Sequence, residues 1–165
     1  MSSHCYVGAT DPDNPHLAHT RFVLSNGRPR MVLPTLAAVW AGRARYDTRA
    51  LVTAILAYDW EYLDPYTPAS LMGLAGHRPV PGVGMALTST GATVDGPEPV
   101  TVFPLCHARH LDADWIYLID VGTATVAVHA DDGSCIGRYP LAGCIPPSDA
   151  TGGRGAGSGR VRAAA

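Results

Sequence analysis

The clearest alternation of apolar and polar positions lies in the last third of the chain. Three short runs rich in Val, Ile and Tyr occupy residues 115–121, 124–129 and 135–139, with turn-forming stretches rich in Gly and Asp between them. Runs of this kind, separated by short turns, are typical of antiparallel strands that follow one another in a sheet. The pattern predicts a three-stranded antiparallel meander over about residues 115–140.

A helical spacing of apolar positions follows Asp47. The side chains of Leu51 and Ile55, with two tyrosines further along, recur every three or four residues and therefore share one face of a helix. An aspartate directly before such a run is a preferred N-cap, because its carboxylate accepts the free N–H groups of the first turn. We expect the main helix over about residues 48–63, with its apolar face in the core.

Asn26 and Gly27 lie between two apolar runs at residues 21–25 and 30–33. Because the Asn-Gly pair tolerates the positive φ angles of a tight turn, this arrangement predicts an N-terminal β-hairpin. A short helix that begins at Pro34 would follow the hairpin. Together these elements indicate an α+β fold, in which one or two helices pack on an antiparallel sheet.

Both ends of the chain have compositions that do not favour a packed core. Residues 1–20 contain a stretch rich in Pro and Asp, and we expect a flexible arm there. Residues 146–165 are mainly Gly, Ala, Ser and Arg, which predicts a disordered tail. A single globular domain over residues 21–145 remains between them.

No apolar run reaches the roughly 18 residues that a membrane-spanning helix requires. The first residues also lack the basic and apolar segments of a signal peptide. We therefore expect a cytoplasmic protein with reduced cysteines and no membrane contact.

Charge is distributed unevenly along the chain. Residues 17–49 carry six Arg and one Asp, for a net charge of +5, whereas residues 50–150 carry three Arg and eleven acidic residues, for a net charge of −8. All twelve basic residues are Arg, which a GC-rich bacterial host explains without a functional reason. Our preferred interpretation is that the basic block and the acidic remainder face each other in the fold. Arginines on one exposed face would instead indicate nucleic acid or an acidic partner.

The nucleic-acid alternative uses the basic block between Arg21 and Arg49. Arginines can bind phosphates while an aromatic ring between them stacks on a base. The aromatic signature of an RNA-recognition motif and the ligand spacing of a zinc finger are both missing. The candidate residues are Arg28, Arg30, Arg43, Arg45, Arg49 and Tyr46.

An acidic and aromatic segment occupies residues 58–66. Aromatic side chains are enriched at protein interfaces, and acidic side chains near the C-terminus of a helix oppose its dipole without a structural benefit. The competing interpretation is the end of a buried helix with a solvated acidic edge. The candidate protein-binding residues are Asp59, Trp60, Glu61 and Tyr66.

Several potential metal ligands lie close together at residues 106–114, and a further cysteine downstream could complete a tetrahedral zinc site. The segment contains no pair of cysteines at zinc-finger spacing, so a polar loop with small apolar cysteines is the competing interpretation. The candidate ligands are Cys106, His107, His110, Asp112 and Cys135.

Motifs of enzyme active sites are missing, including a nucleophile elbow, a dinucleotide-binding glycine loop and a Walker loop. Cys106 and His107 are adjacent, and neighbours on an extended segment point to opposite sides, so they cannot form a catalytic pair there. We therefore expect a small non-catalytic accessory or regulatory protein that binds another protein and needs no cofactor. Nucleic-acid binding and metal dependence are the alternatives.

Overall fold

The computed structural model describes residues 3–71, 77–87 and 99–147. Within these residues, nine strands form one mixed sheet, and the longer helices pack on one face of it. This arrangement belongs to the α+β class, as predicted from the sequence. The N-terminal strands lie at the centre of the sheet, with strands from the middle of the chain on one side and C-terminal strands on the other.

The N-terminal segment is part of the centre of the sheet. Strand β1 covers Cys5–Thr10 and strand β2 covers Leu17–Val23, and the two pair antiparallel. The expectation of a flexible arm over residues 1–20 is therefore wrong for most of that range. The proline-rich stretch is the turn of this hairpin, closed by the N–H of Asp11, which donates to the carbonyl of Leu17 over 2.9 Å. Prolines that would disrupt a strand are compatible with the turn that ends it.

The side chains of Asp11 and His19 form a hydrogen bond across this hairpin, with 2.8 Å between Oδ2 and Nε2. The hydrogen bond with His19 holds the pKa of Asp11 below its ordinary value, and the backbone N–H groups of Asp13 and Asn14 act in the same direction. A carboxyl with a lowered pKa in the folded state stabilises the fold above its ordinary pKa of about 4. That contribution is lost as the pH falls through the lowered pKa.

We expect the substitution His19→Ala to raise the pKa of Asp11 toward the ordinary value, because the largest cause of the lowering is removed. The measurement is an NMR titration of the Asp11 carboxyl carbon in both proteins. An unchanged titration curve would mean that the backbone donors alone account for the lowered pKa.

Helix α1 covers Pro29–Ala41, so the predicted hairpin around Asn26 and Gly27 is wrong. Asn26 has a φ of 62°, but its turn connects β2 to a helix rather than to a second strand. Pro29 lies in the first turn of α1, where its missing N–H leaves no hydrogen bond unmade. The helix also begins before Pro34, where we expected it to start. Its buried side chains recur at helical spacing, and they are Val32, Leu33, Leu36, Ala37, Val39 and Trp40.

Helix α2 covers Thr48–Ile55, so it occupies only the first half of the helix predicted over 48–63. Asp47 caps it as expected, and its carboxylate accepts two backbone N–H groups of the first turn. Leu51 and Ile55 are fully buried, which confirms the predicted apolar face in this half.

Strand β3 covers Trp60–Leu63, where the sequence pattern predicts the second half of the helix. The chain changes direction because the side chain of Trp60 is buried and its indole N–H donates to the carbonyl of Ile55 over 2.9 Å. This bond satisfies one of the carbonyls that the end of α2 leaves free. The strand pairs parallel with β2 at Val23, which extends the sheet beyond the N-terminal hairpin.

The remaining elements are β4 Arg78–Val80, β5 Gly84–Ala86, β6 Thr101–Pro104, β7 Trp115–Asp120, β8 Thr125–Ala130, β9 Cys135–Pro140 and, after β9, helix α3 Leu141–Cys144. Strands β7, β8 and β9 pair antiparallel in chain order, over the residues for which the sequence predicts a meander. The sheet order is β4-β5-β3-β2-β1-β7-β8-β9, and β6 pairs with the first half of β2. The pairs β1–β7 and β2–β3 are parallel.

Apolar side chains cover both faces of the sheet. The larger cluster lies between the sheet and the helices, and it includes Val7, Leu36, Leu51, Ile55, Trp60 and Tyr117. The smaller cluster lies on the opposite face, partly beneath a 3₁₀ helix at Leu105–His110, and consists of Ala18, Phe103, Ala108, Ile116 and Leu118. The inward-facing sides of α1 and α2 are therefore buried in the core. The ends and outer faces of these two helices are open to a partner.

The segment from residue 148 onward lies outside the described residues, and with it most of the predicted tail over residues 146–165. Helix α1 has 13 residues, whereas a membrane-spanning helix needs about 20. Across residues 3–71, 77–87 and 99–147, no helix is long and apolar enough to cross a membrane.

Candidate functional site

Arg21 differs from the rest of the basic block because its side chain enters the core. It is 2% exposed, and its Nε donates to the carbonyl of Leu56 over 2.7 Å. One terminal nitrogen lies 3.5 Å from the carbonyl oxygen of Pro99 and 4.0 Å from a carboxylate oxygen of Asp59. This arginine ties β2 to the segments around it and is closed to a ligand.

The other five arginines of the block are exposed. In the part of the chain that the structure describes, none of their guanidinium nitrogens lies within 4.0 Å of a carboxylate oxygen. The sequence favoured an arrangement in which the acidic remainder faces and neutralises the basic block. Within the described residues, Arg21 is the one arginine of the block whose guanidinium lies within 4.0 Å of a carboxylate oxygen. The five divide into two groups at opposite ends of α1, roughly 20 Å apart. They are Arg28 and Arg30 at its start, and Arg43, Arg45 and Arg49 after its end.

The second group lies on the connection between α1 and α2, residues 42–47, which we call the α1–α2 loop, and on the first turn of α2. Backbone hydrogen bonds fix the loop: the N–H of Ala44 donates to the carbonyl of Val39, and the N–H of Tyr46 donates to the carbonyl of Trp40. Ala44 is buried, so the loop is anchored from below. The aliphatic part of Arg43 packs beside Gly82, where a Cβ atom would come within 3.3 Å of the Arg43 Cβ.

Two consecutive residues of this loop have left-handed backbone conformations. The φ angles are 50° at Arg45 and 64° at Tyr46. Such a conformation costs about 1–2 kcal/mol for a residue with a side chain, and it persists only where the surroundings enforce it. The loop therefore presents Arg45 and Tyr46 in a fixed arrangement.

Tyr46 is 62% exposed, although its ring has a contact with the core. It meets Trp40 edge to face, with 5.0 Å between the ring centroids and 83° between the planes. The indole N–H of Trp40 donates to the hydroxyl of Thr48 over 3.2 Å, which fixes the supporting ring. One side of Tyr46 is thus held by the protein, while most of the residue is exposed to solvent.

The local charge of this surface is positive. Residues 42–49 contain three arginines and a single acid, Asp47. The carboxylate of Asp47 already accepts the N–H groups of Arg49 and Ala50 at the start of α2. A cation in the first turn of a helix opposes the helix dipole, so the position of Arg49 brings no stability to α2. An anion bound at this surface would relieve the repulsion.

The first group has a mixed electrostatic environment. Arg28 and Arg30 line a cavity of about 840 Å³ at the start of α1. Asp114 and Asp131 line the same cavity, although neither is within 4.0 Å of an arginine nitrogen. These aspartates weaken the positive field around the two arginines. The basic block is therefore not one continuous face, and its more positive part is the α1–α2 loop with the first turn of α2, where three arginines accompany a single acid.

The predicted protein-binding segment does not form one surface. Trp60 is fully buried, and a carboxylate oxygen of Asp59 accepts the backbone N–H of Phe22 over 3.0 Å. Glu61 is only partly exposed, whereas Tyr66 is 78% exposed. Because most of the segment stabilises the junction of β2 and β3, Tyr66 alone of the four candidates is freely available to a partner.

The predicted metal ligands are not brought together. Cys106, His107 and His110 belong to the 3₁₀ helix, and the two imidazole rings lie 6.1 Å apart between centroids. Asp112 follows in the next loop, and Cys135 begins strand β9. Among the described residues, no group of three or more His, Cys, Asp or Glu side chains has an arrangement that could hold a metal ion.

Cys5 is the most deeply buried of the four cysteines. Burial raises the pKa of its thiol far above the ordinary value, and the charge of Asp114 acts in the same direction. The thiolate is the nucleophilic form of cysteine, so Cys5 is held in its unreactive form at neutral pH.

A second surface feature was not anticipated from the sequence. A shallow groove of about 430 Å³ lies between the first half of α1 and the corner formed by β9 and α3. Its lining is mainly apolar and includes Leu33, Pro34, Tyr139, Cys144, Ile145 and Pro146. The residues on its two sides are far apart in the chain, so no local pattern could indicate it.

Comparisons of the chain with models of protein families, with curated proteins and with solved structures found no match. A proposal for function therefore depends on the geometry of the α1–α2 loop and the groove.

Proposed function

We propose that this protein acts by binding rather than by catalysis, and that its α1–α2 loop binds the phosphate backbone of a nucleic acid. The observation that carries the proposal is the exposure of Arg43, Arg45 and Arg49, whose guanidinium groups have no carboxylate oxygen within 4.0 Å in the described residues. Three guanidinium groups, two on a fixed loop and one on the first turn of α2, provide planar donors of the kind that phosphate oxygens accept.

We prefer nucleic acid to a protein partner because the fold leaves more of the basic block exposed than of the aromatic segment. The aromatic segment contributes Trp60 to the core and Asp59 to a backbone hydrogen bond. The basic block keeps five of its six arginines at the surface. The cytoplasmic location that we expect from the sequence would give this loop access to nucleic acid.

The double variant Arg43→Ala/Arg45→Ala tests the proposal. Each phosphate that an arginine neutralises releases condensed counterions, so the affinity for nucleic acid must fall as salt rises. Three contacts predict a log–log slope of about −2 to −3, and the double variant should reduce its magnitude by roughly 1.5 units. We also expect binding on the order of 10- to 100-fold weaker at low salt. The measurement is fluorescence anisotropy of a labelled oligonucleotide between about 50 and 200 mM salt.

The matched control is Arg28→Ala/Arg30→Ala, which removes the same net charge at the other end of α1. This control should retain most of the affinity and the salt slope, because Asp114 and Asp131 weaken the field at that end. Equal losses in the two double variants would mean that net charge rather than the loop governs binding. No binding to any oligonucleotide at about 50 mM salt would reject the proposal.

A protein partner remains the second candidate, and the apolar groove beside Tyr139 and Ile145 favours it. Both side chains are exposed, and apolar grooves with aromatic walls are suited to binding a peptide segment. A photo-crosslinking residue in place of Ile145 tests this candidate in cells. Crosslinks that disappear when Tyr139→Asp is added would support a protein partner, and crosslinks that persist would count against it.

A further inference from the structure

The shape of the turn alone does not explain why Arg45 and Tyr46 occupy positions with left-handed backbone conformations. Gly or Asn adopts positive φ with little strain, so a loop selected only for its shape would favour those residues. Here two large side chains occupy the strained positions, and both point outward. Strained backbone of this kind concentrates at functional sites, where the role of the side chain offsets the energetic cost of the conformation.

We infer that the α1–α2 loop binds single-stranded nucleic acid, with a base stacked on the ring of Tyr46 and neighbouring phosphates bound by Arg43, Arg45 and Arg49. The inference rests on the proposed function and adds the class of nucleic acid. It is carried by the exposed ring, by its rigid support from Trp40 and by the arginines on either side.

The preference for single strands follows from the base surfaces that each form of nucleic acid exposes to a flat aromatic ring. In a duplex the faces of the bases are stacked on one another, so an exposed ring on a loop meets only backbone and groove edges. In a single strand the base faces are free, and stacking on aromatic side chains is a main source of affinity. Tyr46 is an exposed aromatic residue at a positively charged surface, which is the combination that single strands require.

The experiment compares wild type with Tyr46→Asn and Tyr46→Phe in the full chain. Asn tolerates positive φ, so Tyr46→Asn removes the ring while it preserves the loop. Phe preserves the ring and removes only the hydroxyl. The probes are labelled oligothymidylate and oligouridylate of about 12 nucleotides and a DNA duplex of the same length. Thermal unfolding of all three proteins verifies that the loop remains folded.

We expect wild type to bind the single strands more tightly than the duplex. Tyr46→Asn should weaken single-strand binding by roughly 5- to 150-fold and leave duplex binding unchanged. Its salt slope should match that of wild type, because stacking releases no counterions, whereas Arg43→Ala/Arg45→Ala lowers the slope. Tyr46→Phe should bind like wild type. The two single strands distinguish DNA from RNA as the source of the base, and both share the stacking chemistry.

The outcomes separate this inference from the function on which it rests. If neither the single strands nor the duplex bind, the proposed function itself is rejected. If nucleic acid binds through Arg43 and Arg45 but the duplex binds as tightly as the single strands, the stacking role of Tyr46 is overturned and phosphate binding stands. Equal weakening of single-strand and duplex binding by Tyr46→Asn would likewise overturn it, since stacking cannot account for a loss on duplex.

Discussion

Trp60→Ala is expected to lower the free energy of unfolding by about 3–5 kcal/mol, the range for loss of a buried tryptophan. The side chain is fully buried in the larger core cluster, and its indole N–H donates to the carbonyl of Ile55. Alanine would leave a cavity between α2 and the sheet and a carbonyl without its donor. Chemical denaturation monitored by circular dichroism measures the loss.

The matched control is Tyr66→Ala, which removes an aromatic side chain six positions further along the chain. Tyr66 is 78% exposed, so its removal should change the stability by no more than about 0.5 kcal/mol. If the two variants unfolded at the same denaturant concentration, Trp60 could not occupy the core position described above.

Arg21→Met is expected to lower the free energy of unfolding by about 2–4 kcal/mol. Methionine retains much of the apolar stem, but it removes the donors to the carbonyl groups of Leu56 and Pro99. It also removes the guanidinium that lies 4.0 Å from a carboxylate oxygen of Asp59. Because Asp59 is partly exposed, water screens part of this last effect.

Arg28→Met is the corresponding change at an exposed arginine and should leave the stability within about 0.5 kcal/mol of wild type. The midpoint of urea unfolding, with an unchanged slope, is the quantity to compare. A small effect of Arg21→Met, similar to that of Arg28→Met, would mean that Arg21 is hydrated rather than bound to the segments around it.

The parts of the fold that sequence patterns predict are those whose partners are close in the chain. The β7–β8 and β8–β9 pairs join neighbouring runs through short turns, and the cap at Asp47 depends on residues two and three positions away. The sequence pattern predicts helix at strand β3 because the apolar spacing there continues that of α2. The deciding bond, from the indole of Trp60 to the carbonyl of Ile55, is a tertiary feature that periodicity does not encode.

The candidate site could be predicted only as a group of residue types. Charge clustering indicated the arginines, and the aromatic between them indicated Tyr46. The burial of Arg21 depends on contacts with Leu56 and Pro99, which lie 35 and 78 positions away. The strained φ angles of the loop and the separation of the arginines by the length of α1 likewise appear only in three dimensions.

The parallel pairing of β1 with β7 has a consequence for the way this protein folds during synthesis. Cys5 and its partner Trp115 are 110 positions apart, so the N-terminal hairpin must wait for most of the chain before one side of β1 is paired. Closing so large a loop carries an entropic penalty, and folds dominated by such distant contacts fold slowly. Until β7 emerges from the ribosome, β1 has an unpaired edge beside apolar side chains, where nascent chains can associate. A strand that is paired on both sides in the completed protein is thus one that a chaperone would need to protect until most of the chain is made.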